Sequence, residues 1–412
     1  MKRTIVFLAL CLVACAPKSD FASVRDSLVR ENFEFADRQL RLLLSETEAI
    51  LDTVTITDNT RVEPRTTQSD GSLSLVAPRD WTSGFFPGSL WYLYELSGDK
   101  FWKEKAMKFT GYLESVKSYK GTHDLGFMVN CSYGNGLRLA QVPGYKEVLL
   151  EAARSLSSRF NPTVGCIRSW DHSKKWQYPV IIDNMMNLEL LFWASKVSGD
   201  PGFRDIAISH ANTTIANHFR PDYSSFHVVD YDAAGDGKAI QFNTHQGYAD
   251  SSAWGRGQAW GLYGFTMCYR ETGDTRYLEQ AEHIARFILN NKNWPEDGVF
   301  YWDFDAPDIP DAPRDVSASA IAASALYELS TMSEADGARY LAAADKIVKS
   351  ISEKYRNPLG EVHGFLTHSS VGHMPAHSEI NVPLNYADYY FLEALVRKER
   401  LAEGLPVVPS TE

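Results

Sequence analysis

The 412-residue chain predicts an all-α fold, an (α/α)6 toroid of six helical hairpins with a long loop over its mouth, on three observations. A Gly-Asp punctuation recurs between helical segments. An apolar helix precedes each copy and an amphipathic helix follows it. Every apolar helix opens on small, polar and aromatic residues. Helices buried on all sides are apolar all round, whereas surface helices carry one apolar stripe. Their alternation at irregular periods reads as repeated helical hairpins. Closing six hairpins into a ring brings all the polar starts to one end. An open solenoid gives no reason for them.

In chain order, residues 1–14 read as a secretory signal peptide. Lys2 and Arg3 precede an apolar run from Ile5 to Val13, too short to span a bilayer. Leu12-Val13-Ala14-Cys15 resembles a bacterial lipobox, which makes Cys15 the expected lipid anchor and residues 15–28 a polar tether. The expected location is that of an exported lipoprotein, periplasmic or on the cell surface, touching a membrane only through that anchor. Residues 29–400 form the expected single domain, with residues 401–412 a polar tail. Within the domain, a first helix from Glu31 to about Thr53 serves as the last outer partner.

The inner starts are Asp80-Trp-Thr-Ser-Gly-Phe-Phe-Pro-Gly88, His123-Asp-Leu-Gly-Phe127, Ile182-Asp-Asn-Met-Met-Asn187, Ser251 to Trp260, Asp315-Val-Ser-Ala-Ser319 and Asn381 to Asp388. The punctuation is clearest at Ser97-Gly-Asp99, Ser198-Gly-Asp200 and Thr272-Gly-Asp274, with looser copies at Val142 and Glu334. In each, Gly stops one helix and Asp caps the next. Tyr277, Ala281, Ile284, Ala285 and Ile288 keep helical apolar spacing on an outer helix. The Gly- and Asp-rich, alternating stretch from Phe226 to Gly247 breaks the pattern and reads as a loop or short hairpin over the mouth.

A formal charge of −11 argues against a nucleic-acid partner. Beyond Cys15, Cys131, Cys166 and Cys268 are an odd set without CxxC spacing, which argues against disulfides or a zinc site. No motif calls for a metal or nucleotide, so no cofactor is expected.

Asp183 stands at the head of a very apolar helix, where Leu188, Leu190, Leu191, Phe192, Trp193, Ala194 and Val197 follow. Burying a carboxylate there is costly unless it is paired or protonated, and a carboxylic acid neutral near pH 7 suits a general acid. Asp124 heads a neighbouring inner helix, and two facing carboxyls push their pKa values apart. Either alone also reads as an N-cap. Arg256 and Trp260, at i and i+4 on one helical face, offer a carboxylate-binding fork and a flat face for a sugar. Arg256 also reads as a structural ion pair, and His227 and His245 as satisfied structural histidines or substrate-orienting groups. An inverting glycosidase using Asp183 and Asp124 across a water, or a glycan-binding lipoprotein without catalysis, stays open on the residues alone.

The motifs Asp80-Trp-Thr-Ser-Gly-Phe, His123-Asp-Leu-Gly-Phe, Ile-Ile-Asp183 with Asn187, Ser225-Phe-His227, Thr244-His-Gln-Gly-Tyr-Ala-Asp, Trp-Gly-Arg256-Gly-Gln-Ala-Trp260 and Asp388-Tyr-Tyr-Phe-Leu-Glu-Ala-Leu, in order over about residues 30 to 398, resemble the unsaturated glucuronyl hydrolases of glycoside hydrolase family 88. The resemblance implies an (α/α)6 barrel. It also implies removal of a terminal 4,5-unsaturated uronate from lyase-generated oligosaccharides, glycosaminoglycan type among them, by hydration of the double bond. Asp183 then matches the general acid and base, Asp124 its partner carboxylate, His227, Gln246, Arg256 and Trp260 substrate contacts, and Trp81 a stacking residue. Some relatives that take sulfated substrates carry Ser-x-x-Ser-x-Lys. Here Ser370-Val-Gly-His-Met-Pro375 puts His373 at the second Ser and Pro375 at the Lys, which puts a preference for 6-sulfated galactosamine in doubt.

Overall fold

The computed structural model describes residues 19–409. Among them run twelve α-helices: α1 (Ser27–Leu51), α2 (Phe85–Ser97), α3 (Lys100–Gly111), α4 (Asn135–Ala140), α5 (Tyr145–Ser157), α6 (Leu188–Ser198), α7 (Pro201–Asn217), α8 (Gly255–Thr272), α9 (Thr275–Asn290), α10 (Val316–Leu329), α11 (Gly337–Lys354) and α12 (Asn385–Ala402). The even-numbered six form the inner ring. Each packs on the next, α4 reaching α6 through the stretch that precedes it (126–134), and α12 returns to α2. The odd-numbered six lie outside, with α1 completing the outer layer, so the (α/α)6 toroid is present.

The punctuation works as its chemistry requires. Gly98, Gly199 and Gly273 end inner helices with φ of 65°, 74° and 71°, in the left-handed region that glycine enters without strain. Asp99, Asp200 and Asp274 then accept the amides of Phe101, Gly202 and Arg276 and cap the outer helices. Every residue of α10 is buried, whereas α9 buries one stripe, Tyr277, Gln280, Ala281, Ile284, Ala285 and Ile288.

Two inner helices begin irregularly. A π-helical stretch, Gly126–Gly134, leads into α4, and a 3-10 turn, Ile182–Asn187, leads into α6. They touch where Gly126 meets Asn187: a Cβ on Gly126 would lie 2.6 Å from Asn187 Oδ1. Asn187 Oδ1 accepts the Phe127 amide at 3.0 Å, so the two starts are bonded to each other.

Short antiparallel strands surround the mouth: β1 (Glu63–Thr67) with β2 (Leu73–Val76), β3 (Phe160–Asn161) with β4 (Cys166–Ile167), and β8 (Ser370–His373) with β9 (Ser378–Val382). The stretch 226–247, expected as a loop or short hairpin, is mostly a hairpin, β6 (Val228–Tyr231) and β7 (Ala239–Asn243), which joins β5 (Pro179–Ile181) in a three-stranded sheet. Away from these strands, Arg270 and Arg397 pair with Glu189, Glu328 and Glu393 and tie four of the inner helices together.

Both expected ends of the domain need correction. The tether from 15 to 28 is docked over its described part. Phe21 and Val24 are buried, the Arg25 and Asp26 amides donate to Glu399, and Asp26 caps α1, which starts at Ser27. These two apolar side chains in a polar run are enough to seat it. The tail from 401 is no polar extension either, since α12 runs to Ala402 and Val407 is buried. The expected signal peptide, Cys15 and the last three residues lie outside the described residues. Cys131, Cys166 and Cys268 are buried free thiols.

Candidate active site

Pairing of β5 with β6 sets Ile181 opposite Val228, and the Ile182 amide donates to His227 O at 3.1 Å. That register puts Asp183 beside His227, whose Nε2 lies 3.7 Å from Asp183 Oδ2. Asp183 is 8% exposed. Burial pushes its carboxyl up to about 7, against the pull of the His123 and Arg256 charges and with a further push from Asp124. It is therefore half protonated near neutral pH.

His227 is buried and its Nδ1 accepts two backbone amides, those of His245 and Gln246, each at 3.1 Å. An acceptor Nδ1 fixes the neutral ring with its proton on Nε2, the nitrogen nearest Asp183, and neither that nitrogen nor Asp183 Oδ2 has a hydrogen-bond partner among the described residues. Burial, and then the neighbouring His245 and Arg256, hold His227 well below the usual histidine range, so it stays neutral.

Asp124 is the opposite case. Burial alone would raise it, but His123, with Nε2 at 3.2 Å, and the Thr122 hydroxyl hold it below the usual carboxylate range. Behind it, the buried Ser169 Oγ accepts the Ile181 amide at 3.0 Å and lies 3.2 Å from His123 Nδ1. The contacts of Nδ1 with Ser169 and of Nε2 with Asp124 fix the His123 ring between the two. One hydroxyl thus steadies both the Asp124 partner and the strand leading into Asp183. Ser169→Ala is expected to lower kcat/KM about tenfold, the weight of one buried hydrogen bond. It should also move the acidic limb of the pH profile upward, with Ser169→Thr restoring part of both. An unmoved limb would leave Ser169 a packing residue.

Arg256 makes the structural ion pair that was one of its two expected readings. It is buried, and its fork is occupied by Asp315 Oδ2 at 2.8 Å, Val371 O at 2.6 Å and Gly372 O at 2.8 Å. Nε–H and one Nη2–H remain unspent, so the end of the fork is committed to the protein and only its Nε side is left for a ligand. It faces the Trp254 ring at 4.4 Å. Trp260 is fully buried one turn deeper, against Phe127 at 5.0 Å and Tyr390 at 5.4 Å, so its face is not open to a sugar. Gln246 gives its side-chain NH2 to Gly372 O at 3.0 Å. Trp81 is partly exposed and wedged on Tyr386, Phe85 and Phe127 at the mouth, which suits a stacking platform.

Three comparisons bear on this geometry. The model of "Glycosyl Hydrolase Family 88" matches residues 55–406. The chain belongs to glycoside hydrolase family 88. The Formosa agariphila protein called "Unsaturated glucuronyl hydrolase" is 50% identical over 331 residues, 79% of this chain and 82% of that protein. An "Unsaturated chondroitin disaccharide hydrolase" of Streptococcus pyogenes serotype M1 is 33% identical over 395 residues, 92% of this chain and 93% of its own. A solved structure described as "unsaturated glucuronyl hydrolase specific for heparin" superposes with a TM-score of 0.84 at 46% identity, covering 92% of this chain and 99% of the other. This family 88 enzyme is therefore a glycoside hydrolase with the expected (α/α)6 barrel.

Several site residues escaped the sequence reading. Partly exposed Trp170 packs against His245 at 5.1 Å and Trp176 at 5.5 Å, with the His227 ring edge-on at 6.2 Å. Trp254 lies 4.5 Å from the His227 ring. His373 Nε2 is 3.3 Å from His245 Nε2, which puts the Ser370–His373 strand against the loop carrying Gln246. Burial, and then His373, lower His245 to about 4, so this pair is uncharged at neutral pH.

Proposed function

We propose that Asp183 is the general acid and base of this family 88 enzyme and that Asp124 is its ionised partner. The enzyme removes the terminal 4,5-unsaturated uronic acid from glycosaminoglycan-type oligosaccharides left by lyases. The observation that carries the residue assignment is the buried Asp183 carboxyl, raised to about 7, facing the fixed Nε2–H of His227. Protonated Asp183 delivers its proton to C4 of the vinyl ether. Water adds at C5 and returns a proton to the Asp183 carboxylate. The hemiketal at C5 opens to a ketone, C1 becomes a hemiacetal, and its collapse to the aldehyde frees the saccharide. While Asp183 is anionic, the His227 N–H and the Arg256 charge stabilise it. Trp81 and Trp170 flank the bound sugars, and Gln246 offers the amide oxygen its bond to Gly372 leaves free.

The neutral His373–His245 pair and the absent lysine favour substrates without a 6-sulfated galactosamine. The test is loss of alkene ultraviolet absorbance with unsaturated disaccharides from heparin, hyaluronan and chondroitin 6-sulfate. Turnover of the first two above the third is expected. No loss with any of them, or hydrolysis of a saturated p-nitrophenyl glycoside instead, overturns the reading. We also propose export as a lipoprotein through Cys15. Radiolabelled palmitate should enter the wild-type chain and not Cys15→Ala, and equal labelling would refute the anchor.

A further inference from the structure

A groove of about 910 Å³ runs between the β1–β2 and β8–β9 hairpins, lined on one side by Arg61, Arg65 and Arg79. Its volume is at the upper end for small-molecule sites, ~300–1,000 Å³. Its inner end adjoins the active site. The Arg65 guanidinium is 6.0 Å from the Trp81 ring, and a Cβ on Gly372, whose carbonyl holds Arg256 and Gln246, would meet Glu379 Oε2 at 2.1 Å.

The three arginines are not equivalent. Arg65 is spent: Glu379 takes it bidentately at 2.8 Å and Asp80 takes Nη1 at 3.1 Å. It is a rigid, neutralised wall. Arg61 and Arg79 are exposed, and neither makes an ion pair among the described residues. Val62 donates to Val76 O, so both arginines sit at the same end of the β1–β2 hairpin. In a chain of net charge −11, two guanidinia without an acidic partner among the described residues, Arg79 of which lies 5.3 Å over the Tyr119 ring, form a local cationic site at the rim of a groove that opens beside the sugar platform. A guanidinium binds sulfate or carboxylate through two parallel N–H bonds.

We propose that this groove is an extended subsite for the sugars beyond the first two of an anionic oligosaccharide, with Arg61 and Arg79 gripping sulfate or carboxylate groups. The inference rests on the substrate class proposed above. It makes longer lyase products better substrates than disaccharides, although the reacting uronate is the same.

The experiment compares unsaturated heparin disaccharide and tetrasaccharide on the full enzyme and on Arg61→Ser/Arg79→Ser. With wild type, the tetrasaccharide should show the lower KM, and that advantage should fade as salt rises. In the double variant the tetrasaccharide KM should rise roughly tenfold, with kcat and both disaccharide constants unchanged. An unsulfated hyaluronan tetrasaccharide separates the two anions: equal loss points to carboxylate, and loss confined to heparin points to sulfate. Calorimetric binding of a saturated heparin tetrasaccharide, which needs no turnover, keeps the groove testable if the hydrolase reading fails. Equal tetrasaccharide KM or equal binding in the two proteins overturns the subsite.

Discussion

Asp183→Asn should lower kcat by at least 10²–10⁴-fold, the usual weight of a positioned acid–base group, while the fold stays intact. Asn keeps the shape of the side chain but can neither deliver a proton to carbon nor take one from water. In the wild type, kcat/KM should fall as pH rises through about 7, where Asp183 loses its proton. The same group has a stability signature of a definite sign. An unfolded aspartate titrates near 3.9, so between about 4 and 7 the folded state holds a proton that the unfolded state has lost. The Asp183 contribution therefore weakens as pH rises through that window and is constant above it. Asp183→Asn has no such penalty. It should be more stable than wild type at pH 8, by up to roughly 4 kcal/mol, and equal to it near pH 4. Urea melts at both pH values check this. An inactive variant without the pH-dependent gain would mean that Asp183 is ionised in the folded enzyme.

Asp315→Ala should produce the largest loss of stability. Asp315 is wholly buried, holds Arg256 at 2.8 Å and caps α10 through the Ser317 and Ala318 amides. Removing it strands a buried guanidinium, a change that costs about 3–5 kcal/mol, and the lost cap adds about 1. Replacing both partners by apolar residues, Arg256→Met with Asp315→Leu, should cost less than Asp315→Ala alone, because no buried charge is then left uncompensated. Chemical denaturation of the three proteins decides it. A loss below about 1 kcal/mol in Asp315→Ala would show that the guanidinium finds another partner.

The parts of the fold readable from the sequence were those governed by local chemistry. Gly98 with Asp99, Gly199 with Asp200 and Gly273 with Asp274 each signal one helix end and one cap without reference to the rest of the chain. Asp183 was legible because an apolar helix makes its carboxyl conspicuous. Arg256 and Trp260 were placed on one helical face, which i, i+4 spacing settles, but the spacing does not say how deep a face lies. Trp260 is one turn further in, where neighbouring inner helices close over it, and the platform facing His227 is Trp254. Nor did the fork of Arg256 announce its partner: Asp315 is 59 residues away and meets it only once α8 and α10 are side by side. The hairpins β1–β2 and β8–β9 are short and their strands carry mixed polar side chains, so alternation gave no signal. Phe21 and Val24 seat the segment before α1 through contacts that no local pattern encodes.

The outer layer is closed by the oldest part of the chain with the youngest. Asn32 of α1 bonds Ser352 Oγ at 2.7 Å, Gln39 reaches Phe365 O, and the Arg25 amide meets Glu399. During synthesis, α1 can pack early on α2 and β1, but the side that meets Ser352, Phe365 and Glu399 stays open until residues beyond 350 have followed it out. The circle therefore has an order of assembly, with the first of its described helices waiting for its last-made neighbours. Chains cut short in the second half keep that side of the helix exposed and should be taken by chaperones or proteases. A circular permutant that starts at α2 and ends with α1 would remove that wait.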